Sequence, residues 1–380
     1  MASRLLFLVN SSSYFLSHRL GIAVEAKKQG YEVHIASPED GCEDTFKIRG
    51  LIHHKLPISR TSINIFSEIK AFLNIYFLIK KINPDLLHLI TIKPVIYGGI
   101  ISRLIQIKGV VSAVPGLGYV YISKGIRAKI LRFFTNYFYK VSFSKKSLKI
   151  IFQNKDDMNK LRLAVGFDPI KSVIIKGSGV DLDEFKRTPL PEGRPVISMI
   201  ARLQEDKGVI EFARAAQMIN ERKIEADFWL IGETDSSYPS PILKEDLQEW
   251  ENKGFLKILG YREDINILIG NSNIIVLPSY REGLPKVLLE AAACGRPVIT
   301  TDVPGCRAAI EEGKTGLLVP PRDSLSLADK IEYLLGNKEL LKKMGNAGRK
   351  LAEEHFSLDK VVSAHLKIYS SLIDKEQLEL

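Results

Sequence analysis

Two glutamates flank a Gly-Leu-Pro sequence in the segment REGLPKVLLEAAACGRP: Glu282 and Glu290. The apolar run NIIVLPSY before it predicts a strand, while Pro285 and Gly295 suit the first turn and the C-terminal cap of a helix. Backbone N–H groups at a helix start attract anions, and carboxylates accept hydrogen bonds from hydroxyl groups. The pair therefore predicts a ligand with hydroxyl groups at both ends and phosphate between them, which is the layout of a nucleotide sugar.

Two cations follow another predicted strand in the same half of the chain: Arg202 and Lys207 in ARLQEDKGV. Cations at the carboxyl end of a strand can neutralise a diphosphate, and the arginine fork matches its oxygens. Either pair alone is more often a chance arrangement on a solvated surface. Together, the four side chains predict a nucleotide-sugar site in the second half of the chain.

Short apolar runs alternate with amphipathic stretches along the chain, which is typical of parallel sheets with helices on both faces. The segment GSGVDLDEFKRTPLPEGRP interrupts this alternation and predicts an interdomain linker. We therefore predict an α/β fold of two doubly wound, Rossmann-like domains, residues 1–185 and 186–360, that face each other across a ligand-binding crevice. A helix over residues 361–380 is expected to pack back towards the first domain.

The composition describes a folded chain, since 45% of its 380 residues are apolar and 26% are charged. The three cysteines are odd in number and form no C-x-x-C pair, which favours a reducing cytoplasm over a disulfide framework. No run of about 18 apolar residues is present, so no membrane-spanning segment is expected.

The first half of the chain is strongly basic, because residues 1–190 hold 29 Lys and Arg against 14 Asp and Glu. Aromatic residues interleave with cations in KGIRAKILRFFTNYFYKVSFSKKSLK, and residues 63–82 form a very apolar helical stretch. These segments are either core helices with charged outer faces or a surface that lies on anionic lipid. No fold signature for nucleic-acid binding accompanies them, so no nucleic-acid partner is expected. The lipid-contacting residues would be Lys124, Arg127, Lys129, Arg132, Phe133 and Phe134.

Four segments of the second half carry a resemblance to a known family: ARLQEDKGV, GYRED, LPSYREGLPKVLLEAAACGRPVITTDVPGC and GLLVPPRD. In this order and spacing they resemble the retaining glycosyltransferases of family 4, which have the GT-B fold. In the first half, FLSHRL and VPGLGYVY resemble the bacterial branch that adds N-acetylgalactosamine and related sugars to undecaprenyl-diphosphate-linked acceptors.

The resemblance implies a role for each of the chemical residues. Arg202 and Lys207 would bind the donor diphosphate, Glu290 the ribose hydroxyls and Glu282 the hydroxyls of the donor sugar. No metal or other cofactor is required in this fold. The remaining donor-site residues would be Gly283, Leu284 and Pro285 beside the sugar, and Tyr261 and Arg262 beside the base.

The first half departs from the family at one place. Many members carry a histidine in a T-V-H-G type segment, whereas this chain reads SAVPGLG there. His18 is therefore our main candidate for an acceptor-site residue and His88 a weaker one, although either could be a structural histidine. Gly116 and Gly118 would allow the backbone to approach the acceptor closely, or would only form a flexible loop.

The sequence thus predicts a retaining glycosyltransferase that moves GalNAc or another hexosamine from a UDP-sugar to a polyprenyl-diphosphate-linked saccharide. It would work as a peripheral protein on the inner face of the cell membrane. One alternative is a catalytically degenerate scaffold that binds nucleotide sugar or lipid, and its support is the missing histidine. Another is a sugar-nucleotide epimerase, which would consume the donor without any acceptor.

Overall fold

The computed structural model describes residues 2–58, 64–118, 121, 125–234 and 240–373. The chain divides into two compact units, one formed by Met1–Ser178 with Asp359–Leu380 and the other by Gly179–Leu358.

The first unit contains a seven-stranded parallel sheet in the order β3-β2-β1-β4-β5-β6-β7. Its central strands are almost continuously apolar and buried, as expected for a sheet covered on both faces. The strands are β1 (Arg4–Leu8), β2 (Glu32–Ser37), β3 (Ile52–Lys55), β4 (Leu86–Ile90), β5 (Gly109–Val114), β6 (Leu148–Phe152) and β7 (Ser172–Ile174).

The helices of this unit include one, over Lys155–Val165, with standard caps at both ends. Asn154 precedes this helix and accepts a hydrogen bond from the backbone N–H of Asp157, and Gly166 follows it in the left-handed conformation. The helices are α1 (Ser12–His18), α2 (Leu20–Lys28), α3 (Glu43–Ile48), α4 (Ile65–Ile82), α5 (Ile92–Leu104), α6 (Ile126–Ser142) and α7 (Lys155–Val165).

The second unit contains a six-stranded parallel sheet in the order β10-β9-β8-β11-β12-β13. Counted from its first strand, this order is 3-2-1-4-5-6, the arrangement of a Rossmann fold, and the first sheet begins the same way. The predicted pair of doubly wound Rossmann-like domains is therefore confirmed. The strands are β8 (Val196–Ile200), β9 (Asp227–Ile231), β10 (Lys257–Gly260), β11 (Ile274–Leu277), β12 (Val298–Thr301) and β13 (Gly316–Val319).

Helices cover both faces of the second sheet and close one core around it. A short 3₁₀ turn over Glu205–Lys207 precedes the first of them, and a π-helical turn over Ala352–Phe356 follows the last. The helices are α8 (Val209–Glu221), α9 (Lys244–Asn252), α10 (Ile265–Gly270), α11 (Lys286–Ala293), α12 (Pro304–Ala309), α13 (Ser324–Leu335) and α14 (Lys338–Leu351).

The chain returns to the first unit through its last helix, α15 (Leu358–Ile373). Tyr369 of this helix contacts His88 of β4 through its hydroxyl, 2.6 Å from Nδ1 of the imidazole. Gly109 of β5 lies against Leu372, where a Cβ atom would come within 2.6 Å of the leucine Cβ. Part of the predicted segment, residues 374–380, lies outside the described residues.

From Gly179 onward the linker belongs to the second unit, so the boundary lies before the predicted position between residues 185 and 186. The backbone N–H of Val180 donates to the carbonyl oxygen of Phe356 at 2.8 Å. Further along, the guanidinium of Arg296, which is fully buried, donates to the carbonyl oxygens of Thr188 at 2.8 Å and Pro189 at 2.9 Å. These bonds hold the beginning and the middle of the linker within the second unit.

Candidate active site

The second sheet brings two of the predicted residues into contact at the point where its strand order reverses. Lys207 follows β8 and Glu282 follows the neighbouring strand β11, and their Nζ and Oε1 atoms lie 2.6 Å apart. Both side chains are largely buried, with exposed fractions of 15% and 14%. Ligands bind at this reversal point in open parallel sheets. Arg202 stands on the same β8 loop with an exposed side chain.

Close backbone packing holds the two loops together. Gly208 has φ +77°, and a Cβ atom there would clash with the carbonyl oxygen of Pro278, so only glycine fits. The carbonyl oxygen of Asp206 accepts hydrogen bonds from the backbone N–H of Tyr280 at 2.8 Å and from the Ser279 hydroxyl at 3.0 Å. These backbone contacts hold the loops that carry Lys207 and Glu282 close together.

The loop that carries Glu282 also packs closely against the start of α12. A Cβ atom at Gly305, near the start of α12, would collide with the backbone of Glu282 and Gly283. The adjoining Cys306 is fully buried, and burial, assisted by the charge of Glu282, raises the pKa of its thiol to about 12. Cys306 is therefore a neutral packing residue beneath the loop.

Glu290 lies within α11 in a different environment. Its exposed fraction is 7%, and burial raises the pKa of its carboxyl, an effect that the charge of Lys286 partly offsets. The Lys286 Nζ atom lies 3.2 Å from Oε1 of Glu290, one turn earlier on the helix. The sequence interpretation overlooked Lys286, although a spacing of four residues in a helix is the ordinary signal for such a pair.

The start of α11 differs slightly from the prediction. Pro285 has extended backbone angles, φ −72° and ψ 125°, and precedes the helix instead of occupying its first turn. Pro285 and Leu284 are buried, and Gly283 is half-buried beside them. These three residues connect the Glu282 loop to the helix that carries Glu290.

Tyr261 and Arg262 lie at the carboxyl end of β10, which is the edge strand of the sheet and is separated from β8 by β9. Tyr261 is 65% exposed. Arg262 forms a two-pronged ion pair with Asp264, with distances of 2.8 and 2.6 Å. Both residues therefore lie at the carboxyl ends of the strands, as predicted, but apart from the pair formed by Lys207 and Glu282.

The two histidine candidates of the first unit have different surroundings. His18 ends α1, its ring stacks on Tyr14 with centroids 4.2 Å apart, and its Nδ1 lies 3.1 Å from the Tyr14 carbonyl oxygen. Because a carbonyl oxygen only accepts hydrogen bonds, Nδ1 carries a hydrogen. His88 is completely buried, and this burial lowers its pKa far below the usual value. The weaker candidate is therefore a core histidine.

Gly116 and Gly118 lie in the loop that follows β5. Gly118 has φ +65°, and a Cβ atom there would lie 3.3 Å from the side chain of Ile92 at the start of α5. This loop and α5 both begin at the carboxyl edge of the first sheet. The glycine therefore allows close packing at that edge, and the contact with an acceptor remains a prediction.

The predicted lipid surface is exposed where the structure describes it. On α6, Arg127, Lys129, Phe133 and Phe134 are exposed, whereas the Arg132 guanidinium lies over the ring of Tyr121, 5.7 Å from its centroid. Lys124 lies outside the described residues. On α4, four exposed apolar side chains follow one face of the helix: Phe66, Ile69, Leu73 and Phe77.

In the ranges that the structure describes, no group of three or more His, Cys, Asp or Glu side chains is arranged to hold a metal ion. The Asp-Leu-Asp sequence of the linker forms a turn, since Asp181 accepts hydrogen bonds from the backbone N–H groups of Asp183 and Glu184. Among the helices that the structure covers, none combines the length and apolarity needed to cross a membrane.

Comparisons with known proteins show similarity to glycosyltransferase families. Residues 181–351 match the family described as "Glycosyl transferases group 1", and residues 4–154 match "Glycosyl transferase 4-like". The chain is 30% identical to the N,N'-diacetylbacillosaminyl-diphospho-undecaprenol alpha-1,3-N-acetylgalactosaminyltransferase of Campylobacter jejuni, over 97% of this chain and 99% of that protein.

Two further proteins are similar over most of the chain. A UDP-Gal:alpha-D-GlcNAc-diphosphoundecaprenol alpha-1,3-galactosyltransferase of Escherichia coli is 25% identical over 75% of each chain. The crystal structure of Anabaena HepE in complex with UDP and glucose superimposes with a TM-score of 0.77 at 17% identity, covering 97% of this chain and all of that one. The structural likeness concerns the fold alone.

Proposed function

The chain belongs to the glycosyltransferases of the group 1 and 4-like families, and from this premise we propose that it transfers a sugar from a UDP-sugar to a polyprenyl-diphosphate-linked saccharide. Family membership makes it a glycosyltransferase with the GT-B fold. The proposed reaction retains the anomeric configuration, and the proposed donor sugar is GalNAc or another hexosamine. The product would be an intermediate of bacterial surface glycan or protein glycosylation.

The observation that carries this proposal is the contact between Lys207 and Glu282 at the reversal point of the second sheet. Lys207 is a cation and Glu282 a hydrogen-bond acceptor, and the pair lies where open parallel sheets bind ligands. The exposed Arg202 on the same loop adds a second cation. A sugar diphosphate presents the complementary groups, since its phosphates are anionic and its sugar carries hydroxyls.

In the proposed reaction, the bond between the anomeric carbon and the UDP oxygen breaks while a bond to the acceptor hydroxyl forms on the same face. Negative charge develops on the diphosphate, and the fixed cations Arg202 and Lys207 stabilise it. The leaving phosphate oxygen can take the acceptor proton, so no separate base is required. Glu282 orients the sugar hydroxyls, and Glu290 accepts hydrogen bonds from the ribose.

The names of the relatives support the choice of substrates. Both the Campylobacter jejuni and the Escherichia coli proteins are named for acceptors linked to undecaprenyl diphosphate, and the latter for a UDP-sugar donor. We extend both classes to this chain. The proposed acceptor is embedded in lipid, which accords with exposed apolar and basic residues on α4 and α6 and with a peripheral position on the inner face of the cell membrane.

The test is an assay of UDP release with a panel of UDP-sugars, with and without an undecaprenyl-diphosphate-linked hexosamine. We expect release only with one donor together with the lipid acceptor. Arg202→Ala and Glu282→Ala should lower the rate about a hundredfold or more, because the first removes a cation that stabilises the leaving diphosphate and the second removes the acceptor that orients the sugar hydroxyls. Arg214→Ala and Glu245→Ala, at exposed positions of α8 and α9, serve as controls.

Other outcomes separate the alternatives. Normal activity of both site variants would contradict the proposed site. UDP binding without release for any donor and acceptor pair would favour the scaffold, although the close contact between Lys207 and Glu282 argues against it. Consumption of the donor in the absence of acceptor would favour the epimerase.

A further inference from the structure

We propose that Tyr280 and Glu211 are positioning residues that fix the loop carrying Glu282, so that a hydrogen bond outside the donor site sets the geometry of the catalytic pair. The Tyr280 hydroxyl donates to Oε1 of Glu211 at 2.8 Å. Glu211 lies in the first turn of α8, which begins just beyond Lys207. The bond therefore ties the loop of Glu282 to the helix that follows Lys207.

Tyr280 is held from three directions. Its backbone N–H donates to the carbonyl oxygen of Asp206 at 2.8 Å, and the Arg322 guanidinium lies 4.5 Å from its ring centroid. The hydroxyl bond to Glu211 is the third contact. Since Glu282 follows Tyr280 closely in the chain, these contacts restrict how far its carboxylate can move relative to Lys207.

The bond to Glu211 matters more than an exposed hydrogen bond would. Glu211 is 6% exposed, and its Oε2 atom is buried without a hydrogen-bond partner among the residues that the structure describes. Removing the tyrosine hydroxyl would leave the buried carboxylate without this compensating donor, which is costly. The loop would then rearrange to bring water or another donor to Glu211. Burial and the neighbouring carboxylate raise the pKa of Tyr280, so it stays a donor.

The catalytic consequence rests on the proposed function and is measured with Tyr280→Phe. This variant keeps the ring and its contact with Arg322 but removes the donor. We expect kcat to fall about tenfold, because small misplacements of catalytic groups have effects of this order. UDP affinity should change by less than about twofold, since Arg202 and Glu290 are untouched. Tyr333→Phe, at an exposed tyrosine of α13, is the control and should leave kcat unchanged.

A second pair of variants tests whether the effect passes through Glu282. Glu211→Gln retains an oxygen that can accept the tyrosine hydrogen, so kcat should stay within about threefold of the wild type. In a Glu282→Gln background, Tyr280→Phe should lower the residual rate by less than about twofold, since a residue acting through Glu282 has nothing left to position. A full tenfold loss in that background would overturn the proposal.

Amide hydrogen exchange gives a readout that does not need turnover. In Tyr280→Phe, the amides of residues 279–284 should exchange about tenfold faster than in the wild type and in Tyr333→Phe. Unchanged exchange together with unchanged kcat would overturn the positioning role. If the wild type shows no sugar transfer but Tyr280→Phe exchanges these amides faster, the proposed function is contradicted while the positioning of the loop by Tyr280 is supported.

Discussion

At the scale of single residues, the two glutamates that look alike in sequence have different electrostatic situations. Glu282 forms an ion pair with Lys207, which stands on another loop. Glu290 is buried in a helix, where desolvation raises the pKa of its carboxyl and Lys286 only partly compensates. The ion pair suits a carboxylate that acts beside a diphosphate. Glu290, by contrast, is a desolvated hydrogen-bond acceptor that a ligand could bind.

The cost at Glu290 leads to a prediction about Glu290→Gln. Because its folded pKa is raised, the ionised carboxylate costs folding free energy at a pH above that pKa, and this cost diminishes as the pH falls through the raised pKa towards the usual value of an unfolded glutamate. The amide removes the cost, so the melting temperature at pH 7 should be unchanged or higher. UDP affinity, measured by calorimetry, should fall about tenfold because a charged acceptor is lost.

Glu249→Gln is the matched control for this variant. Glu249 also pairs with a lysine four residues away, Lys253, at 2.6 Å, but it lies exposed on α9. Neither UDP affinity nor melting temperature should change appreciably there. A Glu290→Gln protein that unfolds more readily while binding UDP normally would contradict the assignment of Glu290 as a ligand-binding residue.

Among the secondary-structure elements, helices α4 and α6 expose apolar side chains that helices packed on a sheet usually bury. Phe66 and Phe133 have exposed fractions of 81% and 69%. Helix α5 packs against both, so all three lie on one face of the first sheet. The first of the two interpretations offered by the sequence, a core helix with a merely charged outer face, does not account for these exposed aromatic residues.

Liposome co-sedimentation tests the lipid interpretation. We expect the wild type to sediment with vesicles containing anionic lipid and to dissociate in high salt, since both apolar insertion and charge contribute. The double variant Phe66→Ser with Phe133→Ser should bind at least about tenfold more weakly. Leu163→Ser, at an equally exposed position of α7, is the control. Equal binding to neutral and anionic vesicles would contradict a contribution of the basic residues to membrane binding.

At the scale of the whole molecule, the last helix completes the core of the first unit. Tyr369 and His365 of α15 meet His88 of β4, and all three side chains are fully buried. Burial, with the nearby charge of Arg19, lowers the pKa of His365 to about 3, and burial lowers that of His88 as well. Both imidazoles are therefore neutral in the folded protein.

This arrangement predicts acid sensitivity. In the unfolded chain both histidines take up a proton near pH 6.5, whereas the folded chain resists it. Their stabilisation is therefore fully present above pH 6.5 and is lost as the pH falls towards about 3. The free energy of unfolding should fall by up to about 1.4 kcal/mol per pH unit for each histidine.

Urea unfolding at several values between pH 7 and 4 checks the prediction. His365→Leu should reduce the slope of stability against pH by about one proton, whatever its effect on stability at pH 7. His355→Leu, at an exposed histidine, is the control and should keep the wild-type slope. An unchanged slope in His365→Leu would show that another group is responsible.

Much of the fold follows from local pattern. Continuous apolar runs such as Leu86–Ile90 predict buried parallel strands, and the glycine and proline clusters indicate the linker. The boundary itself depends on bonds between distant residues, such as Val180 with Phe356, which no local pattern contains. His88 illustrates the same limit, because its burial beneath Tyr369 depends on a helix far away in the chain.

The amino-acid sequence was enough to predict the α/β class and two Rossmann-like units, because hydrophobic periodicity is a local property of the chain. It also predicts the residue types of a donor site, through short local motifs, but which of these residues meet depends on tertiary packing. The order of the strands brings Lys207 to Glu282 and leaves Arg262 paired with Asp264 at the edge. Contacts of this kind depend on how remote segments pack, and packing is a property of the whole folded unit.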